Sequence, residues 1–215
     1  MKKIIISIFV VLIAVSAIWL YTTRSGGNST APQSESSISR FIEIPEIDNF
    51  KQLKSALTRS PTAGNEQKIW VEFTLITPQY FKLKALSESI EKEKIDSKIK
   101  EYEEQYRYPG SLAFLVKINT HTMDTGEFII ENLCILRDDS GNEYKPTGWL
   151  ELPSPMPAMA SHHRAGILFF PSSNPDGTPV ISTETKYIEV IMKNVGLVEE
   201  RNFRWKLPLS QPEGS

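Results

Sequence analysis

Cysteine is nearly absent from this sequence, because Cys134 is the only one among 215 residues. An intramolecular disulfide is therefore excluded, as are sites that need several thiolates, such as zinc fingers and iron–sulfur clusters. Strong charge of one sign is also absent, since 24 Lys and Arg residues oppose 26 Asp and Glu residues for a net charge of -2. We therefore expect no nucleic-acid partner, because such partners normally require a basic face.

Local catalytic motifs are absent as well. The sequence contains no Gly-x-Ser-x-Gly elbow, no His-Glu-x-x-His helix, no Walker loop and no dinucleotide-binding glycine pattern. We therefore expect a protein without enzymatic activity. A hydrolase whose triad assembles from distant residues, for instance Ser161, His163 and Asp139, is the alternative that only geometry decides.

One long apolar run stands near the amino terminus. Residues 4–21 are apolar apart from two serines, and two lysines precede them. At about 1.5 Å per residue such a helix spans roughly 27 Å, close to the thickness of the bilayer hydrocarbon. The charges predict a single-pass anchor within residues 1–24 that contacts lipid through residues 4–21 and has its amino terminus in the cytoplasm. A signal peptide cleaved after residues 15–17 is the alternative.

The composition changes twice after this run. Residues 25–40 consist mostly of Gly, Ser, Asn, Thr, Pro and Gln, which predicts a flexible linker. Residues 41–209 then have the composition of a folded domain, which the anchor would place outside the cytoplasmic membrane, and residues 210–215 form a tail. At the start of this domain, the apolar residues 41–50 and their proline predict an edge strand or an extended segment lying on the domain.

The domain reads as mainly β. A short helix is predicted at residues 48–58, and the turn residues 138–142 predict a hairpin. Strands are predicted at residues 69–77, 112–119, 128–136, 143–145, 165–170, 186–192 and 203–207. Short strands with turns between them predict an antiparallel β-sandwich of the immunoglobulin-like kind.

A charged helical insertion at residues 78–108 interrupts these strands. Thr77 and Pro78 have the residue types of an N-cap and a first helical position. The helix carries two apolar stripes, and the phase slip between them predicts a bend or break at residues 94–97. We expect the stripes to pack on the domain itself, while the helix over residues 79–107 is also a candidate surface for a protein partner.

Two later blocks have the character of a family signature, Ser161-His162-His163-Arg164-Ala165-Gly166-Ile167-Leu168-Phe169-Phe170-Pro171 and Glu200-Arg201-Asn202-Phe203-Arg204-Trp205. With the anchor, the linker and the sandwich, the layout resembles membrane-anchored prokaryotic proteins with Ig-like β-sandwich domains of uncharacterised function. The resemblance implies no site residue. We therefore hypothesise a membrane-anchored extracytoplasmic binding or assembly module without a cofactor.

Imidazole and thioether groups lie close together at two places, which supports an alternative function. Thioether sulfur suits Cu(I), and imidazole binds either oxidation state of copper. The alternative is therefore an extracytoplasmic protein that handles copper or another soft metal. Its ligands would be His121, Met123, Met156, Met159, His162 and His163. In the competing interpretation, His162 or His163 only bonds loop carbonyls, and the methionines pack.

Four other residues are assigned to the core. Cys134 stands between Leu133 and Ile135 without a nearby histidine, so it is interpreted as a small buried hydrophobe. Trp70, Trp149 and Trp205 are either core or recognition residues, and the core is the preferred assignment, because large aromatic side chains dominate the interiors of sandwiches.

Overall fold

Alternating apolar and polar residues build two antiparallel sheets in this protein. The structure, a computed structural model, describes residues 42–60, 69–88, 91–121, 125–154, 162–196 and 198–210. All of these residues belong to one of the two units into which the chain divides, Ser37–Ser215. The described part is mainly β with few helices, as the strand pattern predicts.

The strands of the described residues carry these labels in chain order: β1 (Thr58–Arg59), β2 (Ile69–Leu75), β3 (Ser111–Thr120), β4 (Cys134–Asp138), β5 (Glu143–Tyr144), β6 (Gly148–Leu152), β7 (His163–Pro171), β8 (Tyr187–Val195) and β9 (Val198–Lys206). One sheet has five strands in the order β1-β2-β3-β7-β6, and the other has four in the order β5-β4-β8-β9. All neighbouring strands are antiparallel.

The two ends of the five-stranded sheet carry different structural features. The helical end is the end at Leu75 and Ser111, and the histidine end is the opposite end, at Ile69 and His163. The names follow from the sequence, since the helical insertion leaves and re-enters the sheet at the first end. The second end carries the histidines.

The core lies between the sheets. The ring centroids of Phe73 on β2 and Phe203 on β9 are 4.4 Å apart, and those of Phe114 on β3 and Trp205 on β9 are 5.2 Å apart. Trp205 is fully buried, as predicted, and its indole Nε1 donates a hydrogen bond of 2.7 Å to the carbonyl oxygen of Leu57. Since Phe114 pairs with Leu75, Trp205 lies at the level of the helical end.

The helices are α1 (Phe50–Leu57), α2 (Pro78–Ser87), α3 (Ile95–Gln105) and α4 (Ile130–Leu133). The predicted short helix at residues 48–58 is confirmed as α1, where the side chain of Asn49 accepts hydrogen bonds from the backbone of Lys51 and Gln52. The predicted start of α2 is confirmed as well. Thr77 caps it by accepting a hydrogen bond from the Tyr80 amide, and Pro78 is its first residue.

The predicted helical insertion over residues 78–108 is not one continuous helix. The chain forms α2, a short 3₁₀ turn at Lys92–Lys94, and α3, so the helix is broken, as one of the two sequence alternatives has it, but before residues 94–97. The rings of Phe81 and Tyr106 meet at 5.5 Å, from opposite ends of the insertion. The two apolar stripes therefore pack against each other in a helical hairpin, which a single rod does not allow.

Two strand predictions need correction. The predicted strand at residues 128–136 is the helix α4 followed by β4, which begins only at Cys134. The strand β6 has no counterpart in the sequence prediction, because its five residues do not alternate between apolar and polar types. The hairpin around residues 138–142 is confirmed, with Leu136 paired to Tyr144.

The first described residues form no strand but an irregular segment with a turn at residues 45–46, where the Ile47 amide donates a hydrogen bond to the carbonyl oxygen of Ile44. Ile42, Ile44 and Ile47 are buried against the domain. The side chain of Gln79 fixes this segment through three hydrogen bonds of 2.9 Å, one from the Ile44 amide and two to the carbonyl oxygens of Ile44 and Ile47. The chain thus enters the domain at the helical end.

No helix among the described residues is both long and apolar enough to cross a membrane. The predicted anchor at residues 4–21 and the linker at residues 25–40 lie outside the described residues.

Candidate binding site on the outer sheet face

The outer face of the five-stranded sheet, which points away from the second sheet, changes character halfway along its strands. Towards the helical end Thr74, Leu115 and Phe169 are buried. The guanidinium carbon of Arg107, just after α3, lies 4.2 Å from the centroid of the Phe169 ring. Lys54 of α1 also covers this half, and burial, followed by the charge of the nearby Lys117, lowers its pKa.

Towards the histidine end the same face is uncovered. Trp70 is 37% exposed, Asn119 and His163 are half-buried, and His121 is exposed. We call these four residues the Trp–His row. The change from buried to exposed occurs at the same level on β2, β3 and β7, so it marks the limit of helix coverage on the sheet.

Strand register brings the Trp–His row together. Trp70 pairs with Asn119, and Asn119 pairs with His163, so their side chains lie side by side across three strands. Directly opposite Cβ atoms are about 4.5–5.5 Å apart in such pairs. The ring of His121 meets the Trp70 ring edge-on, with centroids 5.0 Å apart.

His163 is oriented by Asn119. Its Nδ1 atom lies 2.8 Å from Oδ1 of Asn119. A carboxamide oxygen only accepts hydrogen bonds, so Nδ1 is the donor, and the Nε2 atom of the neutral ring keeps its lone pair. The Trp–His row therefore combines an apolar ring, a carboxamide and two imidazoles, which suits a polar ligand or a transition metal.

The six predicted metal ligands have different outcomes. His163 on β7 and His121, just beyond the end of β3, lie at the outer face beside Trp70 and Asn119, while the carbonyl oxygen of His162 accepts a 2.9 Å hydrogen bond from the Thr120 amide. Met123, Met156 and Met159 lie outside the described residues. Within the described part of the chain, no group of three or more His, Cys, Asp or Glu side chains is placed to hold a metal ion.

The sequence also assigns Cys134, Trp70 and Trp149 to the core. Cys134 is buried as predicted, and burial raises the pKa of its thiol to about 12, so it stays protonated. The core assignment of Trp70 is wrong, because its side chain points to the uncovered half of the outer face. Trp149 is partly buried at the edge of the core. Ser161, from the alternative catalytic triad, lies outside the described residues.

An arginine clamp, missed by sequence reasoning, fixes β6 near the histidine end. Arg164 donates from Nε and Nη2 to the Glu151 carboxylate at 3.0 and 2.8 Å, and from Nη1 to the carbonyl oxygens of Thr125 and Phe128. Trp149 also donates from Nε1 to this carboxylate at 2.6 Å. Burial acts to raise the pKa of Glu151, but these hydrogen bonds outweigh it, and the net shift is downward.

Gly166 provides the space for the Trp149 ring in this clamp. A Cβ atom at Gly166 would lie 2.1 Å from the indole ring, which is far inside van der Waals contact. The glycine and the tryptophan stand on neighbouring strands, with Trp149 paired to Leu168. The block at residues 161–171 thus carries a structural signal, because it contains both the clamp arginine and this glycine.

The helical hairpin, predicted as a candidate surface for a protein partner, uses its large residues internally. Tyr102 and Tyr106 are buried between α2 and α3, which confirms the expected intramolecular packing. The ammonium groups of Lys84 and Lys98 lie 3.9 and 5.0 Å from the centroid of the Tyr102 ring. Leu86 is 49% exposed on α2.

Arg201 is a buried charge at the histidine end of the four-stranded sheet. Its Nη1 donates to the carbonyl oxygen of Val195 at 2.6 Å. Its Nε and Nη2 atoms are buried and have no hydrogen-bond partner among the described residues. Burial lowers the pKa of this guanidinium, as expected for a charge removed from water.

The chain was compared with protein-family models, curated proteins and solved structures. No protein-family model matches the chain. No curated protein matches it either. A crystal structure of a protein of unknown function from Burkholderia pseudomallei is similar at 10% identity and a TM-score of 0.42, covering 74% of this chain and 82% of that one.

Proposed function

We propose that this protein is a membrane-anchored, extracytoplasmic binding or assembly module without catalytic activity. The proposed anchor is residues 4–21, with the amino terminus in the cytoplasm and residues 41–209 outside the membrane. The single observation that supports a binding role is the uncovered half of the outer sheet face. Its exposed tryptophan, oriented histidine and carboxamide form a surface that the helices leave open.

We also assign the domain to the Ig-like β-sandwiches. Two antiparallel sheets with a shared aromatic core support this assignment. A tryptophan buried between the sheets, Trp205, is a further feature that such domains have in common. The fold hosts unrelated functions, so the proposed role depends on the outer face and not on the fold class.

A topology experiment tests the location. A reporter that is active only outside the cytoplasmic membrane is fused after Ser215 of the full chain, and a second fusion uses a reporter active only in the cytoplasm. We expect activity from the first fusion alone, because two lysines precede the apolar run. Activity from the cytoplasmic reporter alone would contradict both the orientation and the extracytoplasmic role.

A footprinting experiment tests the binding role. Oxidative labelling of Trp70 is compared between the full chain in its native membranes and the purified full chain in detergent. We expect several-fold slower labelling in the native membranes, because a ligand would cover the ring. Lys94, whose side chain is 68% exposed on the helical hairpin, is the internal control and should be acetylated equally in both samples. Equal labelling of Trp70 in both samples would contradict the proposal.

Copper or other soft-metal handling is the second candidate function. It is favoured by one specific observation: His163 on β7 pairs with Asn119, and His121, one residue beyond the end of β3, packs its ring on Trp70, which pairs with the same Asn119. Diagonal neighbours on adjacent strands are about 7–8 Å apart, within the span of two imidazoles that bind one ion. The hydrogen bond from His163 to Asn119 also resembles the second-shell contacts that orient metal-binding imidazoles. The remaining proposed ligands are Met123, Met156, Met159 and His162.

Metal content tests this candidate. The purified full chain is exposed to Cu(I), Cu(II) or Zn(II), dialysed, and analysed for bound metal beside the variant His121→Ala/His163→Ala. We expect stoichiometric copper in the wild type and none in the variant. The Asn119→Ala variant keeps both imidazoles and should bind about 10- to 100-fold more weakly. Absence of copper from the wild type would reject this candidate and leave the footprinting result unaffected.

A further inference from the structure

The terminal strands of the two sheets differ in how their open edges are protected. The unpaired N–H and C=O groups of an edge strand can pair with another chain, so proteins shorten such strands or give them charged side chains. β1 and β5 have only two residues each. β9 has nine residues, and its exposed positions include Glu200, Arg204 and Lys206.

β6 lacks both kinds of protection. It is the terminal strand of the five-stranded sheet and has five residues, Gly148–Leu152. Its middle residue, Leu150, is 39% exposed. Its only charged residue, Glu151, is compensated by Arg164 and by the Trp149 indole, so this carboxylate does not act as a repulsive guard. Within the described residues, no other strand forms backbone hydrogen bonds with the free edge of β6, the edge opposite to β7.

We propose that this edge is a self-association surface, at which β6 pairs antiparallel with β6 of a second copy of the chain. The residue order makes the strand complementary to itself. A twofold axis at Leu150 sets this leucine against its equivalent, and Gly148 against Leu152 of the second copy. The outer-face side chains of the paired strands are then all apolar, which favours cross-strand packing.

The inner-face side chains also match in this register. Trp149 lies opposite Glu151 of the second copy, so no like charges meet directly across the new strand pair. The sheets of two copies would join into one continuous sheet with ten strands, because each contributes five. Both Trp–His rows would then lie on the same outer surface.

The pairing surface is small, so the association is weak. Stable dimers bury much larger interfaces than a pair of five-residue strands provides. Confinement in a membrane would raise the effective concentration of the two copies and favour pairing there. The proposal does not require a ligand at the Trp–His row, so its failure would leave the binding role untouched.

Sedimentation of the full chain in detergent tests the pairing. We expect a concentration-dependent equilibrium between monomer and dimer, and a dimer dissociation constant at least 10-fold higher in Leu150→Lys. The matched control is Leu86→Lys, because Leu86 is an exposed leucine on the helical hairpin, and it should dissociate like the wild type. A wild type that stays monomeric up to the highest concentrations, or a dimer that Leu150→Lys leaves unchanged, would overturn the proposal.

A disulfide experiment tests the register and does not depend on the lysine variant. In Leu150→Cys the introduced thiols of two paired copies face each other, so oxidation of native membranes should give a covalent dimer. Cys134 is buried with a raised pKa and should not react. Leu86→Cys is the control and should give several-fold less dimer. Equal crosslinking of the two variants would overturn the antiparallel β6 pairing.

Discussion

The helical and histidine ends of the sandwich differ in how completely their polar groups are bonded. At the helical end Gln79 makes three hydrogen bonds to the entering chain, and Asp138 accepts four within its turn. At the histidine end Arg201 has two buried nitrogens without a partner among the described residues, and Trp70 faces solvent. Buried polar groups normally form hydrogen bonds, so the two unbonded nitrogens of Arg201 indicate that the histidine end is less completely stabilised than the helical end.

The two ends also differ in their contact with the first described segment of the chain. Residues 42–47 dock beside Gln79, so the first described segment lies against the domain at the helical end. The Trp–His row lies at the other end of the same strands and is not covered by this entry point. We interpret the helical end as the stabilised end of the domain and the histidine end as the end that carries the proposed binding surface. Four substitutions test this division, from the largest expected effect to the smallest.

Replacement of Phe81 by alanine should cause the largest loss of stability. Phe81 is fully buried at the helical end, where its ring contacts Tyr106 and Tyr108. Removal of a buried phenylalanine ring lowers the free energy of unfolding by about 3–5 kcal/mol. Urea denaturation of the full chain, followed by circular dichroism, measures this loss. A loss below about 1 kcal/mol would mean that the hairpin adds little to the stability of the covered half.

Replacement of Asp138 by asparagine should remove a pH-dependent part of the stability. Burial acts to raise the pKa of Asp138, but hydrogen bonds from Asn142, Tyr144 and the Ser140 amide outweigh it, so its pKa lies below the ordinary value. The carboxylate therefore stabilises the folded state fully above its unfolded pKa, which is about 3.9, and the contribution is lost as pH falls through the folded pKa.

We accordingly expect the wild type to exceed Asp138→Asn in the free energy of unfolding by about 1–3 kcal/mol at pH 7. The difference should shrink as the pH is lowered below about 4. Urea denaturation at a series of pH values measures it. A difference that stays constant down to the most acidic condition would show that the charge of Asp138 is not what stabilises the turn.

The sequence predicts the elements whose causes are local. The hairpin at residues 138–142 and the start of α2 at Thr77 were both predictable, because turn and cap residues act on their immediate neighbours. The reversal between α2 and α3 was not, since it depends on Phe81 meeting Tyr106 across the hairpin. The strand β6 was missed for a similar reason, because its place is fixed by Arg164 and Gly166 on β7.

The candidate site was predictable only in part. Alternation along β2 puts Trp70 on the face opposite to Phe73, but the sequence does not show how far the helices extend over that face. The histidines His121 and His163 were chosen from the sequence for their chemistry. Their placement on one face follows from the pairing of Asn119 with His163, a register between strands that are 44 residues apart.

The buried arginine at the histidine end should be nearly dispensable for stability. Arg201 keeps one hydrogen bond, so Arg201→Met exchanges a poorly compensated buried charge for an apolar side chain. We expect a free energy of unfolding within about 1 kcal/mol of wild type, or higher. The control is Arg164→Met, which removes a fully bonded guanidinium and should cost about 1–3 kcal/mol. A larger loss in Arg201→Met than in Arg164→Met would contradict the inference that the buried charge of Arg201 is poorly compensated.

Replacement of Trp70 by alanine should also have only a small effect on stability, although it removes the largest side chain of the Trp–His row. Trp70 is 37% exposed, and its described ring contact is the edge-on contact with His121. Such a contact contributes about 0.5–1.5 kcal/mol, so urea denaturation should give a loss near or below about 1 kcal/mol. Binding measured at the histidine end should instead be lost, because the ring is the main apolar surface there. A loss of stability comparable to that of Phe81→Ala would mean that Trp70 belongs to the packed part of the domain, and the two ends would no longer differ in their roles.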